Sequence, residues 1–397
     1  MLPADGPRVA FVVPRYGPGV VGGAEMLCRL LAENLAAHGT DVEVLTTCAT
    51  DHFTWADALP EGAAVENGVT VHRFRVDPGR DNGRWLELHA RIDLRAPTTC
   101  ADQLEWMSQS VWSPGLQDAV EDESRYDWLI AMPYLFGTTY WAAAARPGRT
   151  ALVPCVHDEP HAWTPVVREM LGRAAGCMLN SPGEGELLAR LAPDADARLV
   201  SVGYEDGDPP AAAAVDAACR ARGIAPGYVL YAGRREVAKG LPALFAAYAE
   251  LVARRPSAPP LALMGSGDLA PPPEIADRVL DLGFVPDEDR DAIYAGASVL
   301  VNPSRLESLG MVVLEAWLAG TPSIVNGESP VLREHCRASG GGIWFSGVPE
   351  LVEALELLLD DPPLRARMAR AGAAYTRDTF SWPAVRSRFA AALEAWS

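Results

Sequence analysis

Lysine is the scarcest basic residue in this 397-residue sequence: Lys and Arg together number 34, and Lys239 is the one lysine among them. Arginine fills every other basic position, so a single lysine suggests a site that needs a compact, strongly hydrated charge; the competing reading is compositional bias with one survivor. Basic charge of either kind is short. Asp and Glu number 52 and the net charge is −18, which argues against a general nucleic-acid-binding surface. Any anionic ligand must be met by a local cluster of cations. Cysteine is sparse, odd in number at 7, scattered from Cys28 to Cys336, and forms no C-x-x-C pair. That pattern fits reduced thiols, not a disulfide framework or a zinc site. No apolar run approaches the roughly 18–20 residues of a membrane span. The start, Met1 to Arg8, enters a strand-like run without the basic-then-apolar layout of a signal peptide. A cytoplasmic chain is expected.

Hydrophobic residues make up 49% and charged residues 22%, as in a soluble globular protein, and the length suggests two domains. Two halves repeat one rhythm of buried strand, loop and amphipathic helix, which predicts an α/β fold with parallel sheets covered on both faces. In the first half, strands are expected over 9–13, 42–47, 69–74, 128–132, 151–156, 177–179 and 199–202, with a helix over 24–37. Residues 77–125 are the least regular stretch. Asp206-Gly-Asp-Pro-Pro followed by four alanines reads as a linker. In the second half, strands are expected over 228–232, 261–264, 279–282, 298–301, 323–325 and 342–344, interleaved with helices. The predicted division is a first domain over 1–203, a linker or hinge over 204–226, a second domain over 227–380 and a carboxy-terminal helix over 381–397.

Gly17-Pro-Gly-Val-Val-Gly22 spells a formal G-x-G-x-x-G, yet it fits a dinucleotide site poorly. The strand ends near Val13, Pro18 is awkward in a tight turn, and the second strand ends in Thr46-Thr47 where a ribose-binding acid would be wanted. Gly22-Gly23 at a helix start is the more useful feature, because bare backbone N–H groups there can approach an anion. In the second half, Arg234 and Lys239 follow a buried strand, at the edge where open α/β sheets bind ligands. Two cations so placed can neutralise a diphosphate without a metal. Further on, Glu307 precedes a helix start at Ser308-Leu-Gly310, and Glu315 lies eight positions later in an apolar helix. The N–H groups of Leu309, Gly310, Met311 and Val312 form a helix N-terminus suited to phosphate oxygens. A carboxylate inside an apolar helix needs partners.

These residues resemble the retaining glycosyltransferases of family 4, with the GT-B fold of two facing Rossmann-like domains and a cleft between them. The resemblance rests on Gly22-Gly23-Ala24-Glu25, His157-Asp158, Gly233-Arg234, Lys239-Gly240, Gly283-Phe-Val and the Glu307/Glu315 pair. It spans nearly the whole chain and is most specific between 228 and 326. It implies that Arg234 and Lys239 bind the diphosphate of a nucleotide-sugar donor, with Gly22, Gly23 and the 309–312 amides around it. Glu307 would contact the transferred sugar, Glu315 the ribose, and backbone groups near Phe284 and Val285 the base. His157 would lie against the donor sugar; a strand-end histidine that orders its loop is the other reading. Asp158 and Glu159 would be supports. The resemblance further implies retention of configuration, no cofactor and no metal, and a last helix that returns to the first, acceptor-side domain. The acceptor would be a carbohydrate, a glycolipid precursor of the cell envelope or a small natural product. Seven of eleven tryptophans fall in the first 163 residues, where some could stack on sugar, although packing is the more frequent role. A sugar-nucleotide epimerase and a silent nucleotide-sugar-binding module are the alternatives; the first lacks a second carboxylate set and the second sits badly with an intact Arg234/Lys239/Glu307/Glu315 group. Peripheral contact with anionic lipid stays open, without a clear basic amphipathic helix to carry it.

Overall fold

Buried apolar strands and amphipathic helices alternate to build two separate sheets, each forming its own compact unit. A computed structural model describes residues 6–17, 19–20 and 22–397. The first residues of the start considered for a leader, and positions 18 and 21 of the glycine loop, lie outside the described residues. One unit is Met1–Gly203 with Trp382–Ser397, and the other is Tyr204–Ser381.

The first unit holds β1 (Val9–Val12), β2 (Val42–Thr47), β3 (Gly62–Glu66), β4 (Val69–Phe74), β5 (Trp128–Ala131), β6 (Thr150–Leu152), β7 (Gly176–Leu179) and β8 (Ala197–Leu199). Their order is β3-β4-β2-β1-β5-β6-β7-β8. All neighbours run parallel except the β3–β4 hairpin. Every residue of β1 and β5 is buried, as central strands covered on both faces must be. The hairpin turns on Asn67 and Gly68, at φ +47° and +84°, the backbone that a two-residue type I′ turn requires. β3 was not expected, because its residues are mostly exposed and carry no apolar alternation. Residues 77–125 contain helices Asn82–Asp93, Cys100–Ser110 and Pro114–Glu121, capped in turn by Asp81, Thr99 and Ser113.

Helix Trp382–Trp396 packs into this first unit. Phe389 stacks on Phe11 with ring centroids 6.4 Å apart, and Trp396 lies so close to Gly176 that a Cβ there would come within 2.1 Å of the indole. The expected strand over 199–202 is displaced to β8, and that over 151–156 is shortened to β6, with Cys155 at φ +52° in the loop that follows.

The second unit holds β9 (Tyr228–Ala232), β10 (Leu261–Met264), β11 (Val279–Gly283), β12 (Ala297–Asn302), β13 (Ser323–Asn326) and β14 (Gly342–Phe345), in the order β11-β10-β9-β12-β13-β14. All five pairings are parallel. This is the doubly wound order whose direction reverses between β9 and β12, and ligands bind outside the carboxyl ends of strands at such a reversal. Residues 204–226, expected as a linker, belong to this unit and contain helix Ala212–Ala221, which buries Val215, Ala218 and Cys219. Among the described residues no helix is long and apolar enough to cross a membrane.

Candidate active site

The reversal point of the second sheet is where the charged residues gather. After β9 the chain passes Gly233, Arg234 and Arg235, makes a short turn over Val237–Lys239, and enters helix Leu241–Arg254 through Gly240. Gly240 has φ +78°, and a Cβ on it would stand 2.2 Å from the carbonyl oxygen of Pro303. The β9 loop therefore presses directly on the β12 loop, which only glycine allows. That contact brings the Lys239 ammonium to the Glu307 carboxylate, Nζ to Oε1 at 2.8 Å, with both side chains about three-quarters covered. Glu307 lies four residues before helix Met311–Leu318, so it is no ordinary first-turn charge.

The loop carrying Glu307 is shaped by buried polar groups. Asn302 accepts from the Ser304 amide at 3.1 Å, and Asn326 donates to the Pro303 carbonyl at 3.0 Å. Gly310, in the left-handed region at φ +74°, caps helix Met311–Leu318 without a side-chain partner. His335 is fully buried; its Nε2 bonds the Leu309 carbonyl at 2.8 Å and its Nδ1 meets the Tyr375 hydroxyl at 3.0 Å. Burial pushes the His335 imidazole down to about 4, so it is neutral and donates through Nε2.

The two arginines after β9 part ways. Arg235 is tied to Asp281 on β11 at 2.6 Å, whereas Arg234 is about half exposed and turns to Glu236 at 3.0 Å. Glu315 is largely buried and accepts from the Tyr294 hydroxyl at 2.8 Å, with the Arg290 guanidinium at 4.0 Å. Burial raises its carboxyl, and Arg290 and Tyr294 pull it back in part. Of the pair expected near a base, Val285 is buried and the Phe284 ring is exposed. The sequence reading missed the supports Tyr294 and His335, which lie inside ordinary amphipathic helices and carry no motif.

In the first unit, Gly22 precedes helix Gly23–Ala37 with an extended backbone. A Cβ at Gly22 would fall 2.0 Å from Oε2 of Glu25, while one at Gly23 would meet nothing within 4 Å. Glu25 is buried and ion-paired with Arg15, whose other nitrogen donates to the Thr50 carbonyl at 2.9 Å. His157 follows β6 and is about one-quarter exposed, with Nδ1 at 3.5 Å from Glu159. Tyr134 donates its hydroxyl to the same Glu159 oxygen. Burial opposes ionisation of Glu159, but His157 and Tyr134 outweigh it and hold the carboxyl below its ordinary value. Asp158 accepts from the Trp163 indole at 2.8 Å and pairs with Arg190 at 3.2 Å. Three of the tryptophans considered for sugar stacking, Trp55, Trp106 and Trp128, are buried in the core. No three His, Cys, Asp or Glu side chains group as a metal site among the described residues.

The profile of the family described as "Glycosyl transferases group 1" matches residues 223–375, and that described as "Glycosyl transferase 4-like domain" matches residues 22–204. D-inositol 3-phosphate glycosyltransferase of Streptomyces bingchenggensis is 30% identical over 403 residues, covering 92% of this chain and 83% of that protein. Sucrose-phosphate synthase from Thermosynechococcus elongatus superposes with a TM-score of 0.75 at 20% identity, over 98% of this chain and 100% of the other. Anabaena HepE in complex with UDP superposes with a TM-score of 0.71 at 17% identity, again over 98% and 100%. The two structures speak to the fold, and the profiles and the sequence relative to the family. The chain belongs to the group 1 glycosyltransferases, of the family 4 type, and is a glycosyltransferase with the GT-B fold.

Proposed function

We propose that the chain transfers a sugar, with retention and without a metal, from a nucleoside diphosphate sugar to an acceptor hydroxyl. The observation that carries this reading is the Lys239–Glu307 pair at the β9/β12 reversal, with the Gly310-capped helix start three residues further along the same loop. Breaking the bond to the diphosphate leaves negative charge on the leaving group and oxocarbenium character on the sugar. An ammonium and helix amides fixed in advance stabilise the first, and their gain is largest in the transition state. Lys239 spends one of three N–H donors on Glu307, and the others are free to serve phosphate oxygens. Arg234 is the second cation, held less tightly and able to swing from Glu236.

Glu307 takes hydroxyls of the transferred sugar, and Glu315 takes the ribose diol. Backbone groups near Phe284 and Val285 read the base. In the first unit, Gly22 and Gly23 offer bare amides, and His157 lies against the donor sugar with Glu159 setting its ring. Front-face attack, in which the leaving phosphate helps to deprotonate the acceptor, needs no protein base. HepE, the fold relative solved with UDP, makes uracil the first base to try. The acceptor class is a carbohydrate, a glycolipid precursor or a small hydroxylated molecule, as in a relative named for inositol phosphate.

The test is a thermal-shift series with UDP, GDP and ADP, followed by incubation with the matching nucleotide sugars. One diphosphate should raise the midpoint with concentration, as binding to the folded state alone requires, and its sugar should be slowly hydrolysed or transferred. Failure of every nucleotide to bind overturns the donor site.

A further inference from the structure

Glu184 lies on helix Pro182–Leu191 with no solvent exposure at all, which is unusual for a carboxylate. The helix start does not need that carboxylate for its cap, because Ser181 already accepts the Glu184 amide at 3.1 Å. The carboxylate instead reaches the exits of two neighbouring strands. Oε1 accepts the amide of Val156, after β6, at 2.8 Å, and Oε2 accepts the amide of Asn180, after β7, at 2.6 Å. Burial pushes the carboxyl up to about 8, against hydrogen bonds from Asn180, Val156 and Cys155.

The turn it grips is strained. Cys155 holds φ +52° without being glycine, and such a conformation persists only where its surroundings over-determine it. Pro154 accepts the Tyr134 amide at 3.0 Å, and Asn180 Nδ2 donates to Cys155 Sγ at 3.5 Å. His157 follows Val156, and its imidazole meets Glu159 on its other side. One buried carboxylate thus fixes the backbone, and a second carboxylate fixes the ring.

We propose that Glu184 is a positioning residue for glycosyl transfer, clamping the 154–157 turn so that the His157 imidazole is held at the donor sugar. This rests on the reading of His157 given above. Ser181-Pro-Gly-Glu184, a Ser-x-x-Glu pattern at a helix start, was the available sequence signal.

The experiment compares Glu184→Gln, His157→Ala and the double variant, using the nucleotide sugar turned over in the donor series and reading release of its diphosphate. Glutamine keeps the volume but sets an NH2, which has no acceptor lone pair, against one of the two amides, where a carboxyl oxygen accepts even when protonated. Glu184→Gln should lower kcat about tenfold with donor KM within about twofold, and should cost nothing further in the His157→Ala background. Amide hydrogen exchange across 153–159 should rise at least tenfold in Glu184→Gln. An unchanged kcat, or an equal loss in both backgrounds, overturns the proposal alone while the His157 reading stands. Full activity in His157→Ala overturns both. Should Glu184→Gln not fold, Cys155→Gly decides the matter. Glycine tolerates φ +52°, so kcat is kept if the carboxylate holds the turn, and a tenfold loss would assign that role to the cysteine side chain.

Discussion

The Glu307 carboxylate sits 2.8 Å from the Lys239 ammonium, joining the loops that leave β9 and β12 at the reversal of the second sheet. Lys239 thereby has a fixed position, and on the proposed reading preorganised charge of this kind typically contributes two to three powers of ten to turnover. Lys239→Ala should lower kcat about 100-fold. Lys239→Arg should not restore it, since a planar guanidinium cannot reproduce a compact ammonium. Glu315→Ala should chiefly raise donor KM. Steady-state kinetics check all three, and unchanged constants in both alanine variants would remove the site assignment.

Gly22 and Gly23 are adjacent yet predict opposite physical outcomes. A Cβ at Gly22 collides with Oε2 of Glu25 at 2.0 Å, so Gly22→Ala must disturb the buried Arg15–Glu25 pair and should lower the melting temperature. A Cβ at Gly23 meets nothing within 4 Å, and alanine in a helix suits the backbone better than glycine. Gly23→Ala should therefore melt no lower than the parent while losing donor turnover, if the bare amide approaches the diphosphate. Equal melting and equal activity would leave Gly23 with no role at the donor.

Much of the second unit was legible because its strands are short, continuously apolar and bounded by glycine or proline. Tyr228–Ala232 and Leu261–Met264 agree with the expected bounds to the residue. Lys239 and Glu307 stood out for chemical reasons, one by scarcity and one by its place ahead of a helix. What could not be read was side-chain support across long separations. His335 bonds Leu309 from 26 residues away, and Tyr294 reaches Glu315 from 21 residues away. Both sit at helix positions that core packing alone would explain. The helix over 212–221 was hidden by its alanines and by the prolines before it, which read as a linker until Val215 and Cys219 are seen to be buried.

Retention and metal independence are separable by experiment. Activity should survive excess EDTA and gain nothing from added Mg2+ or Mn2+, since Lys239, Arg234 and the helix amides carry the leaving-group charge on the proposed reading. Proton NMR of the fresh product should show the donor's own anomeric configuration. Inversion would require a protein base, and Asp158, two-fifths exposed beside His157, is the first carboxylate to test.

Stability should depend on pH in opposite senses at two buried groups. His335 titrates at about 4 in the fold against an ordinary value of 6.5. Between those values the unfolded chain binds a proton that the folded one refuses, so stability is full above pH 6.5 and is lost as pH falls toward 4. At about 1.4 kcal/mol per unit, the loss is at most roughly 3.5 kcal/mol. Glu184 runs the other way, because its carboxyl is raised from 4.5 to about 8. The fold keeps a proton there that the unfolded chain has released, so its contribution is full below pH 4.5 and is lost as pH rises through 8. Urea midpoints at pH 5, 7 and 8.5 separate the two. His335→Gln should lose less stability than the parent between pH 7 and 5, and Glu184→Gln should lose less between pH 7 and 8.5. Parallel pH profiles in parent and variants would show that neither group titrates as its burial requires.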